Sequence, residues 1–192
     1  MNRGFPTVEP EWLARAKRGD RKAHARLYEA FAPMVYTLAY RMLASRTQAE
    51  DVLQETFVEV IRKLDTWRGD AELGVWVRRI AVNKCLMHVR SHWEARRSTL
   101  DDETPAPALT TEDAADGLAL ERALAALPET ARVVVLLHDV EGYTHREIGR
   151  LMGRTASFSK SQLARAHDRL RELLKDPETT ETPLCEPVLK TC

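Results

Sequence analysis

No run in this chain approaches the roughly 20 apolar residues a helix needs to cross a bilayer, which argues against a helical membrane span. The start, MNRGFPTVEPEW, carries none of the apolar core of a secretory signal, so a cytoplasmic setting is expected. The three cysteines, Cys85, Cys185 and Cys192, are too few and too scattered for a disulfide framework. Glycine is scarce, while Ala, Leu, Arg and Glu abound, which favours helices over sheets. Catalytic constellations are missing as well. There is no glycine-rich phosphate loop, no metallopeptidase helix and no Ser-His-Asp spacing, and the six histidines are dispersed. An enzyme is not expected.

A net charge of zero would seem to exclude a nucleic-acid partner. Its distribution along the chain does not. Residues 1–98 carry 18 bases against 12 acids, residues 99–121 seven acids and no base, and residues 122–175 ten bases against six acids. The last stretch, 176–192, is acidic again. Patches rather than totals set the field that a phosphate backbone feels.

The acidic strip STLDDETPAPALTTEDAADG is rich in Pro, Thr and Ala and has no helical period, so residues 98–117 read as a flexible linker. The sequence after Lys175 has the same character, making 176–192 a tail. Two blocks remain, 8–97 and 118–175. The expected fold is therefore all-α: two small helical domains joined by a flexible acidic linker.

In the first block a short helix closes at Gly19, Asp20 caps a second, and Pro33 is expected to open a third. Thr47 with Glu50 reads as a capping box for a long helix whose stripe is Val52, Leu53, Phe57, Val60, Ile61 and Leu64. The break DTWRGD follows, then a helix from about Ala71 to Trp93. In the second block, Leu120 to Leu127 form one helix and PETARVVVLLHDVEG another, its run VVVLLH read as buried helix rather than strand. Thr144 and Glu147 make a capping box for a third, and Met152–Gly153–Arg154 turn the chain. Thr155 caps a fourth, which reaches Leu174.

This last pair has the spacing of a helix-turn-helix, with Ile148, Leu151, Leu163, Ala166, Leu170 and Leu174 inward. Ser157, Phe158, Lys160, Ser161 and Arg165 face outward near the start of the longer helix, where recognition helices enter the major groove. A plain helical hairpin would use the same glycine and caps.

Two longer stretches decide between these readings. QAEDVLQETFVEVIRKLDTWRGDAELGVWVRRIAVNKCLMHVR closely resembles region 2 of the extracytoplasmic-function (ECF) sigma factors of the sigma-70 family. ALERALAALPETARVVVLLHDVEGYTHREIGRLMGRTASFSKSQLARAHDRLREL is similar to their region 4. The resemblance spans nearly all of 20–175 in the family's order, so the first block is expected to be the region 2 bundle and the second the region 4 helix-turn-helix. It implies a subunit that directs bacterial RNA polymerase core to promoters. Its partners would be the β′ clamp helices and β flap, promoter DNA and an anti-sigma factor, with no membrane involved.

On this resemblance Asp51, Gln54 and Glu55, three and four residues apart on one helix face, would dock on the clamp helices. The plain alternative is a solvated acidic face. Arg68, Asp70 and Glu72 in the loop, with Arg78, Arg79, Asn83 and Lys84 on the next helix, would open and read the −10 element, holding a flipped base and its backbone. Trp76 is assigned to the core. Ser157, Phe158, Lys160, Ser161, Gln162 and Arg165 would face the −35 element. Here the chain departs from the family: Phe158 replaces a small polar residue, Gln162 an arginine, and Ser159 an apolar residue of the helix-turn-helix core. Glutamine suits an adenine edge, and the Ser159 change is expected to soften packing. The acidic linker would occupy a basic channel of the polymerase, or be a plain tether.

Cys85, His88 and His92 fall at i, i+3 and i+7 on one face with donor types that suit zinc, and the tail adds Cys185 and Cys192. Without a tight C-x-x-C pair, no cofactor is expected. Metal sensing by these residues and redox pairing of the tail cysteines stay open beside the plain reading of a buried cysteine and two surface histidines. The competing functional classes are a dimeric helix-turn-helix repressor or activator, which leaves the Asp51 face and the Trp67–Leu73 loop unexplained, and a helical adaptor that binds no DNA.

Overall fold

The computed structural model describes residues 5–97 and 119–175; the expected linker and tail, with Cys185 and Cys192, lie outside them. The first unit comprises α1 (Pro10–Lys17), α2 (Arg21–Leu43), α3 (Arg46–Lys63), a 3-10 turn (Leu64–Thr66) and α4 (Leu73–Arg97). The second comprises α5 (Ala119–Ala125), α6 (Glu129–Val135), which runs on as a π-helical turn (Leu136–Val140), α7 (His145–Met152) and α8 (Ala156–Lys175). No strand occurs among the described residues.

Pro33 does not open a helix. It sits inside α2, which runs unbroken for 23 residues from the Asp20 cap. An interior proline costs about 3 kcal/mol. Beyond it, however, Val35, Leu38, Met42 and Leu43 continue the buried face begun by Ala23, Leu27 and Phe31. Each large side chain contributes about 1.5–3 kcal/mol on burial, so the tertiary gain outweighs the break.

The cap of α3 also differs from the expectation. Ala44 adopts a left-handed conformation (φ 50°), which leaves Ser45 extended, and the Ser45 hydroxyl accepts the Gln48 N–H at 3.4 Å. Thr47 is the second residue of α3 rather than its cap. Ile61, expected in the apolar stripe, is 41% exposed, because the stripe is narrower than its spacing suggested: Val52, Phe57, Val60 and Leu64 are the buried set. Leu174 is likewise exposed rather than inward.

α2, α3 and α4 pack on one another around Leu27, Phe31, Phe57, Val77, Val82 and Val89, while α8 lies across α5, α6 and α7. Val133 to Leu137 are all buried in helix, as the sequence reading expected. The following turn widens: Glu141 N–H donates to Leu136 O and Tyr143 N–H to Leu137 O, both at 2.9 Å. The two units touch, α2 against α5 and α6, and α4 against α7, and their buried residues form one continuous cluster.

One side chain sits at that contact. Arg132 is 1% exposed, in the largest class of fully buried side chains. Its guanidinium donates to Met42 O, Ala125 O and Leu127 O, each at 3.2 Å. Met42 and Ala125 lie in the last turns of α2 and α5, where carbonyls have no intrahelical donor. Burial pushes the Arg132 pKa down, with Glu129 opposing.

Candidate polymerase and nucleic-acid interfaces

On α3, Asp51 and Gln54 point to solvent, but Glu55 turns toward α4. His88 Nε2 donates to its Oε1 at 3.1 Å, and Lys84 Nζ lies 3.6 Å from Oε2. Glu55 therefore ties α3 to α4 while its side chain, 42% exposed, still borders the open face of Asp51 and Gln54. Val58, 67% exposed, and Ile61 extend the open face by two turns. The sequence reading placed Ile61 in the core stripe and gave Val58 no role.

The loop after α3 is built on Trp67. Its indole N–H donates to Ala71 O at 3.2 Å, and Lys17 donates to Trp67 O at 3.0 Å while lying over the ring. Gly69 turns the chain at φ 85°. Arg68, Asp70 and Glu72 are exposed around this framework, free of the packing that holds Trp67. Along α4, Arg79 and Asn83 are exposed, Lys84 is half-buried beside Glu55, and Trp76 packs against the core as expected. Arg78 is different. It forms a two-pronged ion pair with Glu141 of the second unit, and the two side chains are 19% and 4% exposed.

The cysteine and histidines at zinc-like spacing do not converge. Cys85 is fully buried, and burial pushes its thiol up to about 12. A metal-ligating cysteine must be a thiolate, which this environment disfavours. His88 is engaged by Glu55, and His92 accepts from Gln48 at 2.8 Å and donates to Glu129 at 3.4 Å.

The second unit carries the helix-turn-helix. The Thr144 hydroxyl accepts the Glu147 N–H at 3.3 Å and Glu147 accepts the Thr144 N–H at 2.8 Å, a full capping box that holds the Glu147 carboxyl below its ordinary value. Gly153 supplies the left-handed turn at φ 64°. Gly149 has a separate role: a Cβ there would lie 2.8 Å from Arg154 O, so only glycine lets the turn close this tightly. Thr155 caps α8 by accepting the Phe158 N–H at 3.1 Å.

Ser157, Lys160, Ser161 and Arg165 are exposed on the first turns of α8, with Phe158 and Gln162 half-buried on its flank. Ser159 is fully buried, and its hydroxyl lies 3.0 Å from His145 Nδ1. The expected softening is therefore offset: the hydroxyl that replaces apolar bulk is hydrogen-bonded to α7.

Beneath these helices Asp139 takes hydrogen bonds from His138 at 2.7 Å and His167 at 2.6 Å. Burial pushes its carboxyl up, but the two histidines outweigh this and hold it below its ordinary value. His145 stacks on His138 at 4.4 Å. Burial, with His138 and Lys160 nearby, pushes its pKa down against the pull of Asp139.

The class this defines is a two-unit helical protein with a helix-turn-helix, preceded by a bundle that offers an acidic helix face and a basic helix. The comparisons with known proteins agree. Residues 27–95 match the family model Sigma-70 region 2, and residues 117–170 match Sigma-70, region 4. The ECF RNA polymerase sigma factor SigM of Mycobacterium tuberculosis is 34% identical over 168 residues, covering 86% of this chain and 84% of that protein. The RNA polymerase sigma factor CarQ of Myxococcus xanthus is 34% identical over 171 residues, 86% and 97%. The ECF sigma factor SigE of Mycolicibacterium smegmatis is also 34% identical, over 77% of this chain, but the match spans only 60% of that longer protein.

Among solved structures, the sigma factor RpoE of Bartonella quintana, in complex with the anti-sigma factor NepR, matches with a TM-score of 0.52 at 22% identity. The match covers 79% of this chain and 96% of that one, and it supports the fold. The chain belongs to the sigma-70 family, within its ECF group of RNA polymerase sigma factors. A dimeric repressor or activator is not favoured.

Proposed function

We propose that this chain directs bacterial RNA polymerase core to promoters through three surfaces. The Asp51–Gln54 face of α3, continued by Val58 and Ile61, docks on the β′ clamp helices, where a carboxylate and an amide suit arginine partners. The Trp67 loop and α4 take the −10 element, with Arg68, Asp70 and Glu72 around the flipped base and Arg78, Arg79 and Asn83 along the strand. The start of α8 takes the −35 element while region 4 rests on the β flap. The active centre belongs to the polymerase, and this chain contributes no catalysis of its own. An anti-sigma factor of the kind bound to the Bartonella relative is a further partner, and the setting is cytoplasmic.

The observation that carries this reading is the start of α8. Ser157, Lys160, Ser161 and Arg165 stand free to solvent there while Gly149, Gly153 and the Ser159–His145 bond fix the helix in place. A direct test is the affinity for purified core polymerase. Asp51→Ala/Gln54→Ala, which removes no internal contact, should weaken it about tenfold or more, the scale of two central interface contacts. Unchanged affinity would refute the docking face.

A further inference from the structure

The recognition helix is held by more than its apolar face. Ser159, fully buried near the start of α8, lies 3.0 Å from Nδ1 of His145, the first residue of α7. His145 stacks on His138, with ring centroids 4.4 Å apart and planes 18° from parallel. His138 Nδ1 donates to Asp139 Oδ1 at 2.7 Å, and Asp139 Oδ2 accepts from His167 Nε2 at 2.6 Å. His167 is again on α8. These contacts therefore leave the recognition helix at residue 159, cross the start of α7 and the π turn, and rejoin it at residue 167. At 1.5 Å per residue, the two anchor points are about 12 Å apart along the helix axis.

Such a closed ring does what burial alone does not. Leu163, Ala166 and Leu170 attach α8 through apolar burial, which is non-directional. Hydrogen bonds weaken steeply off their line, so anchors at both points resist rotation of α8 about its axis and sliding along it. The tolerance is small. A rotation of about 10° moves a side-chain tip about 5 Å from the axis by about 1 Å, whereas a binding constellation has to be held within about 0.5 Å. Lys160, Ser161 and Arg165 lie between the anchors, and Ser157 lies just before the first. Folding gains little from the ring. The His138, Asp139 and His167 side chains are 34%, 35% and 38% exposed, and pairs that open to water add little stability.

We propose that His145, His138, Asp139 and His167 are positioning residues that, anchored on Ser159, set the pose of α8 on the −35 element. They act on DNA only through Ser157, Lys160, Ser161 and Arg165. This deepens the assignment of α8 to the −35 element and rests on it.

The test uses the full chain assembled with bacterial core polymerase. The probe is the most active fragment recovered from a genomic promoter pool by run-off transcription, labelled with fluorescein and read by anisotropy. A second probe is the same fragment cut away upstream of the −10 element and pre-opened there by mismatches. His167→Ala breaks the ring at a partly exposed site, and His167→Gln restores a donor to Asp139. At the other anchor, His145→Phe keeps the ring stack but loses the bond to Ser159, and His145→Asn returns an amide near Nδ1. Lys160→Ala/Arg165→Ala removes two contact residues themselves.

His167→Ala and His145→Phe are expected to bind the full fragment about tenfold more weakly, the scale of one misplaced base contact. His167→Gln and His145→Asn should regain most of that loss, and all variants should bind the short fragment as wild type does. Unchanged affinity of both breaking variants for the full fragment overturns the proposal. An equal loss on both fragments also overturns it, because the ring is then a general support of the fold. Amide variants as weak as the breaking ones overturn it too, since hydrogen-bond geometry is then not the cause. No loss in Lys160→Ala/Arg165→Ala places the fault in the −35 assignment, and the positioning role falls with it.

Discussion

Replacing Arg132 by methionine keeps most of the stem volume and removes only the buried head group. Three carbonyls, Met42 O, Ala125 O and Leu127 O, then lose their donor. An orphaned buried polar group costs about 1–3 kcal/mol, so three at the low end amount to about 3 kcal/mol. Two effects oppose each other beyond that figure. Methionine avoids the desolvation that already pushes the arginine pKa down. Against this, the guanidinium's favourable position at the negative end of α2 is lost. With these taken as comparable, the expected destabilisation is about 3 kcal/mol, read from urea denaturation followed by circular dichroism. A loss below about 1 kcal/mol would show that the carbonyls find water or other donors, and that the buried arginine does not organise this junction.

Gly149→Ala forces a Cβ against Arg154 O and should cost about 1–3 kcal/mol, the range for overpacking; an unchanged melting temperature would mean the turn relaxes freely. Thr56→Val removes a fully buried hydroxyl that has no hydrogen-bond partner. Chemical denaturation should show a gain of about 1 kcal/mol, and a loss would contradict the reading. His145 has a native pKa below its unfolded value. Its contribution to stability is therefore complete above about pH 6.5 and is lost as pH falls from there through the native value. Between pH 7 and 5 the fall in melting temperature should be shallower in His145→Gln than in wild type, and equal slopes would refute the assignment.

The helical units and the helix-turn-helix were legible because their signals are local. The Thr144–Glu147 box, Gly153 and the Thr155 cap each act within four residues, and VVVLL is too apolar to lie anywhere but inside. Pro33 misled because propensity is local and the burial that overrides it is not. The displaced α3 cap turned on the left-handed Ala44, which no residue preference announces. Glu55 shared a face with Asp51 and Gln54 by spacing, yet the partners that engage it, Lys84 and His88, lie on another helix. Arg132 did leave a trace, a lone base before an apolar run, but nothing in its surroundings identified three carbonyls from separate segments as its partners. The Arg78–Glu141 pair joins residues 63 positions apart and follows only from the packing of the two units.

The central claim is that this chain confers promoter-directed initiation on core polymerase. Run-off transcription with bacterial core polymerase on pooled promoter fragments tests it most directly, comparing no addition, wild type and Asp51→Ala/Gln54→Ala. The account predicts discrete transcripts that require the wild-type chain and fall sharply with the double variant. A folded wild-type protein that stimulates no transcript, or a double variant as active as wild type, would contradict it.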